Sequence, residues 1–240
     1  MGGSLMWVLA IDTATDSVVT GVARLRPDDS GAPEVVAERV VSDGRRHAEV
    51  LTTLIAEVLT ESGVARADLA AVVVGCGPGP FTGLRVGMAT GAAFADALGL
   101  PAYGVCSLDA VAGQELMDGA GDGSVLVVTD ARRREVYWAR YVDGRRVSGP
   151  DVVAPARLVD DLASTHIDLV AGSPAHTELF GRAVGTATVP SVAGLVAAAS
   201  GDLRTGTHPE PLVPLYLRRP DAKEAKGRRL AAGQNTEVRR

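Results

Sequence analysis

VVVGCGPGPFTGLRVGMATGAAFADALG, residues 72–99, is the stretch on which the reading of the fold depends. Its apolar opening continues the run from Leu69, and together they predict a central strand over 69–75, covered on both faces. A turn rich in glycine and proline follows, and then a long helix paved with small residues. In the turn, Gly75-Cys76-Gly77-Pro78-Gly79-Pro80-Phe81-Thr82-Gly83, glycines lead into a helix start whose N–H groups suit an anion. The Gly-Lys-Ser/Thr ending of a phosphate-binding loop is missing, so a tight structural turn stands beside that reading. In the helix, Gly83, Gly87, Gly91 and Ala95 recur every four residues and share one face. Glycine costs about 1 kcal/mol against alanine in a helix interior, so three in register need close approach of another backbone. A strand of the same domain or a helix of another subunit would each supply it.

Upstream, residues 6–12 (MWVLAID) and 17–25 (SVVTGVARL) read as a hairpin, with a third strand over 34–41. MGGSLM reads as a linker or an upstream start, so the fold is expected to begin at Met6. A helix over 46–62 carries Val50, Leu51, Leu54, Ile55, Val58 and Leu59 on one face, and Gly63 is placed to end it. Downstream, a short strand over 101–105 leads to a helix over 107–117. The order then starts again: strand 125–130, strand 135–142, a turn at Gly144, helix 155–163, strand 167–171 and helices near 175–184 and 191–201. LAIDTATDSVVTGVA and VVTDARRREVYWARY share a plan of strand, Asp12 or Asp130, turn, strand. Such a repeat points to two related domains. The closely spaced prolines of 209–217 predict extended chain.

Composition sets outer limits. At 240 residues the chain can bury a core, and with 46% hydrophobic but 4% aromatic residues that core is built from Ala, Val and Leu. A formal charge of −5 argues against a globally basic, nucleic-acid-coating surface. Residues 218–240 run the other way, with eight Lys/Arg against three Asp/Glu. They read as a solvated disordered tail or as one that reaches an RNA backbone. No apolar run approaches a membrane span and no signal peptide opens the chain, so the expected location is cytoplasmic. Cys76 and Cys106 sit in apolar surroundings, as buried reduced thiols do.

Candidate chemistry is thin. His47, His166, His176 and His208 include no pair three or four apart, so no helical metal site is expected. Asp12, Thr13 and Thr15 offer a carboxylate, hydroxyls and backbone N–H groups to a nucleotide. The matching Asp130-Ala131-Arg132-Arg133-Arg134 has long side chains where a phosphate cradle would need small ones. One cradle of two reads as a vestigial nucleotide site.

At GPGPFTGLRVG, residues 77–87, the sequence resembles the bacterial TsaB (YeaZ) family. The likeness extends to LAIDTATDSVVTGVA, RRHAEVL (45–51), LPAYGVCSLDAVA (100–112), TDARRREVYWARY (129–141) and PLYLR (214–218), covering most of 6–218. It implies an α/β fold of two tandem actin/Hsp70-like (ASKHA, ribonuclease H-like) domains, the second smaller. The expected division is 6–107, 108–219 and a basic tail at 220–240. The resemblance further implies a non-catalytic subunit that binds and activates TsaD in threonylcarbamoyl transfer to adenosine 37 of ANN-decoding tRNAs. TsaE joins that complex, a TsaC-type enzyme supplies threonylcarbamoyl-AMP, and tRNA is met through the complex. A homodimer is expected for the chain alone. ATP or ADP at the complex interface is the one nucleotide the resemblance allows, with no cofactor otherwise. The partner contact it implies uses His47, Val50, Leu51 and Leu54 of one helix, with Phe81, Thr82, Gly83, Arg85, Val86, Gly87, Thr90 and Gly91 of the next. In the fainter likeness to TsaD, the two histidine positions of its metal pair fall on Ser107 and Val111. Where the family usually has Ser, this chain has Pro80, which is acceptable leading into a helix. Two rival readings are an autonomous ATP-dependent kinase of the same superfamily and a zinc peptidase. On all of this the glycine face of 83–95 is expected to be a docking surface.

Overall fold

The computed structural model describes residues 5–28, 31–42, 47–120 and 123–218; the expected tail at 220–240 lies outside them. A first sheet comprises β1 (Met6–Asp12), β2 (Ser17–Leu25), β3 (Glu34–Ser42), β4 (Leu69–Gly75) and β5 (Ala102–Val105). Its order is β3-β2-β1-β4-β5, antiparallel from β1 to β3 and parallel from β1 to β5. The second sheet comprises β6 (Ser124–Asp130), β7 (Val136–Val142), β8 (Arg145–Val153), β9 (Leu169–Gly172) and β10 (Ala183–Val184). Read from β8, its order is β8-β7-β6-β9-β10, the same plan with the same directions. The repeat expected from Asp12 and Asp130 is therefore a repeat of whole sheets. It has the topology of tandem actin/Hsp70-like units, and the second has the shorter parallel edge.

Helices fill both faces of the first sheet. α1 (His47–Ser62) and α2 (Phe81–Leu98) cover one side, where Leu51, Ile55, Val58 and Leu84 pack on Leu9, Ile11, Val72 and Val74. On the other side lies α6 (Val192–Thr205), whose Val192, Leu195 and Val196 meet Val8, Ala10, Val19 and Val73. α3 (Ser107–Glu115) packs beside α6, turning Ala110 to the first sheet and Leu108 and Val111 to the second. Both faces of β1 and β4 are thus buried, which accounts for their unbroken apolar sequence. The outer face of the second sheet carries α4 (Pro155–Asp161) through Leu158.

Expected and observed elements differ most at 175–184. Instead of one helix there is a single turn, α5 (Pro174–Thr177), then a short 3-10 turn ending at Gly181 with φ 56°. Pro174 starts the helix and Gly181 stops it before a third turn can form. After α6 the chain runs extended over 207–217 across the ends of β4 and β5. The Tyr103 hydroxyl donates to the Thr207 carbonyl at 3.0 Å, and Leu215 N–H donates to the Cys76 carbonyl at 2.8 Å. This strap ends on the second sheet, where Arg218 donates to the Ala131 carbonyl at 2.9 Å.

Candidate functional site

The turn between β1 and β2 and the glycine-rich turn before α2 are pressed into each other. Asp12 is fully buried: Oδ1 accepts the Ala14 N–H at 2.8 Å and Oδ2 accepts the Ser107 hydroxyl at 2.5 Å. Ser107 in turn accepts the Gly77 N–H at 3.2 Å, so one hydroxyl joins both turns. Thr13, also fully buried, donates to the Gly83 carbonyl at 2.7 Å and accepts the Gly87 N–H at 3.0 Å. Gly83 and Gly87 stand four apart, so this hydroxyl engages both ends of one helical i, i+4 pair. Such proximity requires glycine. A Cβ on Gly75 would lie 1.8 Å from Asp12 Oδ2, one on Gly79 2.0 Å from the Ala14 carbonyl oxygen, and one on Gly87 2.3 Å from Thr13 Oγ1.

Two expectations are corrected here. The glycine face of α2 is turned inward, onto β1 and β4: a Cβ on Gly91 would meet Val74 Cγ2 at 2.6 Å, and Ala95 is buried. Gly83, Gly87 and Gly91, with Leu51 and Leu54 of α1, belong to the chain's own core and present no docking surface. Of the two sources of close approach left open in the sequence, the strand is the one present. The vestigial nucleotide reading meets the same obstacle, because Asp12 and Thr13 are enclosed and hydrogen-bonded within the protein, and only Thr15 reaches the surface, half-buried. Ser107, at the first of the two TsaD metal-pair positions, holds Asp12, and Val111, at the second, is wholly within the core.

A cleft of about 190 Å³ remains between the sheets, lined by Thr15, Asp16, Pro80, Asp130, Ser173 and Thr188. In both hairpins the aspartate accepts the N–H two residues on, Ala14 for Asp12 and Arg132 (2.9 Å) for Asp130. Arg132 also reaches across the cleft to pair with Asp16. The thiols contribute no nucleophile. Burial, with the nearby Asp12 charge, pushes Cys76 up to about 12, and burial with Asp109 pushes Cys106 up to about 11.

The outward side of α1 and α2 is different. Between the helices runs a groove of about 540 Å³, walled by Thr52, Ala56, Ala89, Thr90, Ala93 and Phe94, with Arg66 as its one charged lining residue. Ala89 and Ala93 are exposed, and the 18 residues of α2 hold only Arg85 and Asp96 as charges. A solvent-facing helix ordinarily carries a charged outer face. Of the remaining expected contact residues, Thr90 is half-buried and lines this groove, Val50 and Val86 are half-buried against the core, and Thr82 is exposed. Phe81 and Arg85 are exposed and engaged with Tyr216 of the strap. His47 opens α1 by its backbone, and its side chain lies outside the described residues. Thr52, Ala56, Ala89, Ala93 and Phe94 were missed from sequence. The signal was there in the scarcity of charge along the outer positions of α2.

The family model described as TsaD, tRNA N6-adenosine threonylcarbamoyltransferase, matches residues 34–203. An uncharacterized protein of Mycobacterium tuberculosis is 54% identical over 216 residues, covering 90% of this chain and 93% of that one. The tRNA threonylcarbamoyladenosine biosynthesis protein TsaB of Escherichia coli is 35% identical over 136 residues, 57% of this chain and 55% of that one. Among solved structures, YeaZ from Pseudomonas aeruginosa matches with a TM-score of 0.70 at 26% identity, over 88% of this chain and 100% of that one.

Proposed function

The chain belongs to the TsaB (YeaZ) branch of the TsaD family, and on that premise we propose that it acts in tRNA threonylcarbamoyladenosine biosynthesis as a non-catalytic subunit. It binds and activates TsaD, which transfers the threonylcarbamoyl group to adenosine 37 of ANN-decoding tRNAs. TsaE joins the assembly, and a TsaC-type enzyme supplies threonylcarbamoyl-AMP. The observation that carries this reading is the groove on the outer faces of α1 and α2, lined by apolar and hydroxyl side chains with Arg66 as the one charged residue among them. Apolar helical faces of this kind bury themselves against another helix, and TsaD is the occupant that the family names. In the absence of TsaD a second copy of this chain takes the same face.

The kinase reading is disfavoured by geometry. A cleft of about 190 Å³ falls below the roughly 300–1,000 Å³ of ordinary ligand pockets. Phosphoryl transfer also needs a carboxylate open to the metal-bound phosphate, and Asp12 is enclosed by Ala14 and Ser107. The deciding experiment is co-purification of the tagged chain with the TsaD of the same cell, followed by a tRNA modification assay with and without it. TsaD recovered on the tag, and modification that depends on the chain, are the expected results. Full modification by TsaD alone would overturn the proposal.

A further inference from the structure

The outer row of α2 continues past the groove. Phe81, Arg85, Ala89 and Ala93 recur every four residues, share one side of the helix and are all exposed. Arg85 stands one turn, about 6 Å, from Ala89. Its guanidinium lies 3.8 Å from the Phe81 ring centroid, and its Nε donates to the Tyr216 hydroxyl at 2.6 Å. Phe81 and Tyr216 are themselves stacked, with centroids 5.2 Å apart. These contacts fix the plane of the guanidinium and leave Nη1 and Nη2 without an acceptor among the described residues.

At the other end stands Arg66. β4 and β5 are parallel neighbours, so α2, which joins them, runs back along β4. Arg66, just before the start of β4, therefore lies by the C-terminal half of α2, where it lines the groove with Ala93 and Phe94. It is exposed and forms no ion pair among the described residues. No carboxylate among the described residues lines the groove, and Asp96, the other charge of α2, lies outside it. The face is thus apolar in its middle with a cation toward each end, in a chain whose formal charge is −5.

We propose that Arg85 and Arg66 determine which partner this face accepts: they fit a TsaD helix whose apolar seam is flanked by carboxylates, and they disfavour a second copy of this chain. A helix seated on Ala89 and Ala93 is about 10 Å across, so it covers Arg85 as well. A covered guanidinium without a counter-charge is strongly destabilising, whereas a carboxylate on its free fork makes a two-bond pair. Because Phe81 and Tyr216 already hold the fork, little side-chain freedom is lost on pairing. A second copy brings the same two arginines and no carboxylate from its groove, which is how an interface rejects a partner of the right shape. The identity of the partner rests on the TsaD reading above; the demand for an acidic one rests on the arginines.

The test compares two associations of the full-length chain, with purified TsaD of the same cell and with itself, from about 0.05 to 0.5 M KCl. Binding to TsaD is expected to weaken with salt, and self-association, followed by analytical ultracentrifugation, to hold or strengthen. Arg85→Gln should lower TsaD affinity about tenfold at low salt and flatten its salt dependence, with self-association as strong as the parent's or stronger. Arg66→Gln should act in the same direction. Arg85→Lys keeps the charge and loses the Nε bond to Tyr216, so it should stay within about threefold of the parent and remain salt-dependent. If Arg85 served only to hold Tyr216, Lys would fail as Gln does. Thermal unfolding close to that of the parent confirms that each variant keeps the fold. A parent chain that does not bind TsaD would remove the TsaD reading and this inference together. TsaD binding indifferent to salt, or Gln variants that bind TsaD as the parent does, would overturn this inference alone. Unchanged TsaD affinity with weaker tRNA retention by the complex in Arg85→Gln would assign the guanidinium to a phosphate and refute it as well.

Discussion

Thr13 sets how closely α2 approaches the first sheet, and it does so with one hydroxyl. Thr13→Val keeps the shape and removes both bonds, leaving the Gly83 carbonyl and Gly87 N–H without this partner in a buried place. A loss of about 2–3 kcal/mol in unfolding free energy is expected, read as a lower urea midpoint with unchanged slope. Thr13→Ser keeps the hydroxyl and should lose about 1 kcal/mol for the missing methyl. Gly87→Ala tests the same contact from the other side. Alanine gains about 1 kcal/mol in helix propensity, but its methyl would stand 2.3 Å from a hydroxyl that is itself fixed by two bonds. Overpacking of that kind costs about 1–3 kcal/mol, so the net effect is destabilising, and a stabilised variant would refute the inward fit. The thiols add a pH dependence. Burial holds Cys76 up to about 12 and Cys106 up to about 11, above the ordinary 9.0, so the folded protein keeps protons that the unfolded chain releases. Stability should therefore be insensitive to these groups below pH 9 and fall as pH rises from 9 toward 11 to 12, checked by urea titrations across that range.

At the scale of elements, α2 shows what sequence can and cannot decide. The strand at 69–75 and the helix after it were legible, because an apolar run bounded by Gly and Pro leaves few alternatives. The glycine stripe was legible as a demand for close approach. Its partner was not, since a strand of the same chain and a helix of another both ask for small residues. Only the placement of Thr13 and Ala14 beneath Gly87 and Gly79 resolves it. The turn after β4 was open in sequence between an anion site and a tight structural turn for a related reason: two turns that each look suited to an anion instead satisfy each other through Ser107 and Asp12. The outer face of α2 is the one proposed for a partner, and this separates two kinds of variant. Ala93→Arg, at an exposed position in the groove, should change stability by no more than about 0.5 kcal/mol yet abolish co-purification with TsaD. Gly91→Leu, which meets Val74, should lower stability first. Equal recovery of TsaD by Ala93→Arg and the parent would move the docking site off this groove.

At the scale of the molecule, the two sheets share one strand order, but their hairpins have been put to different uses. The first has its aspartate enclosed and its threonine driven into α2, while the second turns three arginines outward and sends one, Arg132, across to Asp16. The division into 6–107 and 108–219 is proposed on the sheets, with α6 crossing back to cover the first of them. The strap of 207–217 ties the units a second time, through Leu215 to Cys76 and Arg218 to Ala131. Closed in this way, the cleft leaves about 190 Å³ where a nucleotide would have to sit, and its would-be metal carboxylate is occupied. The isolated chain is therefore expected to bind Mg-ATP weakly or not at all. If it bound with a Kd one-hundredth of the ligand concentration used, the folded state would gain about 2.7 kcal/mol. In a chain of this size that would raise Tm by roughly 5–10 °C. A shift below about 1 °C under those conditions is the expected result. A shift of several degrees that grows in Asp16→Asn would mean that breaking the Arg132 bridge opens a nucleotide-binding form, and the closed cleft would then be one state of two rather than the only one the fold adopts.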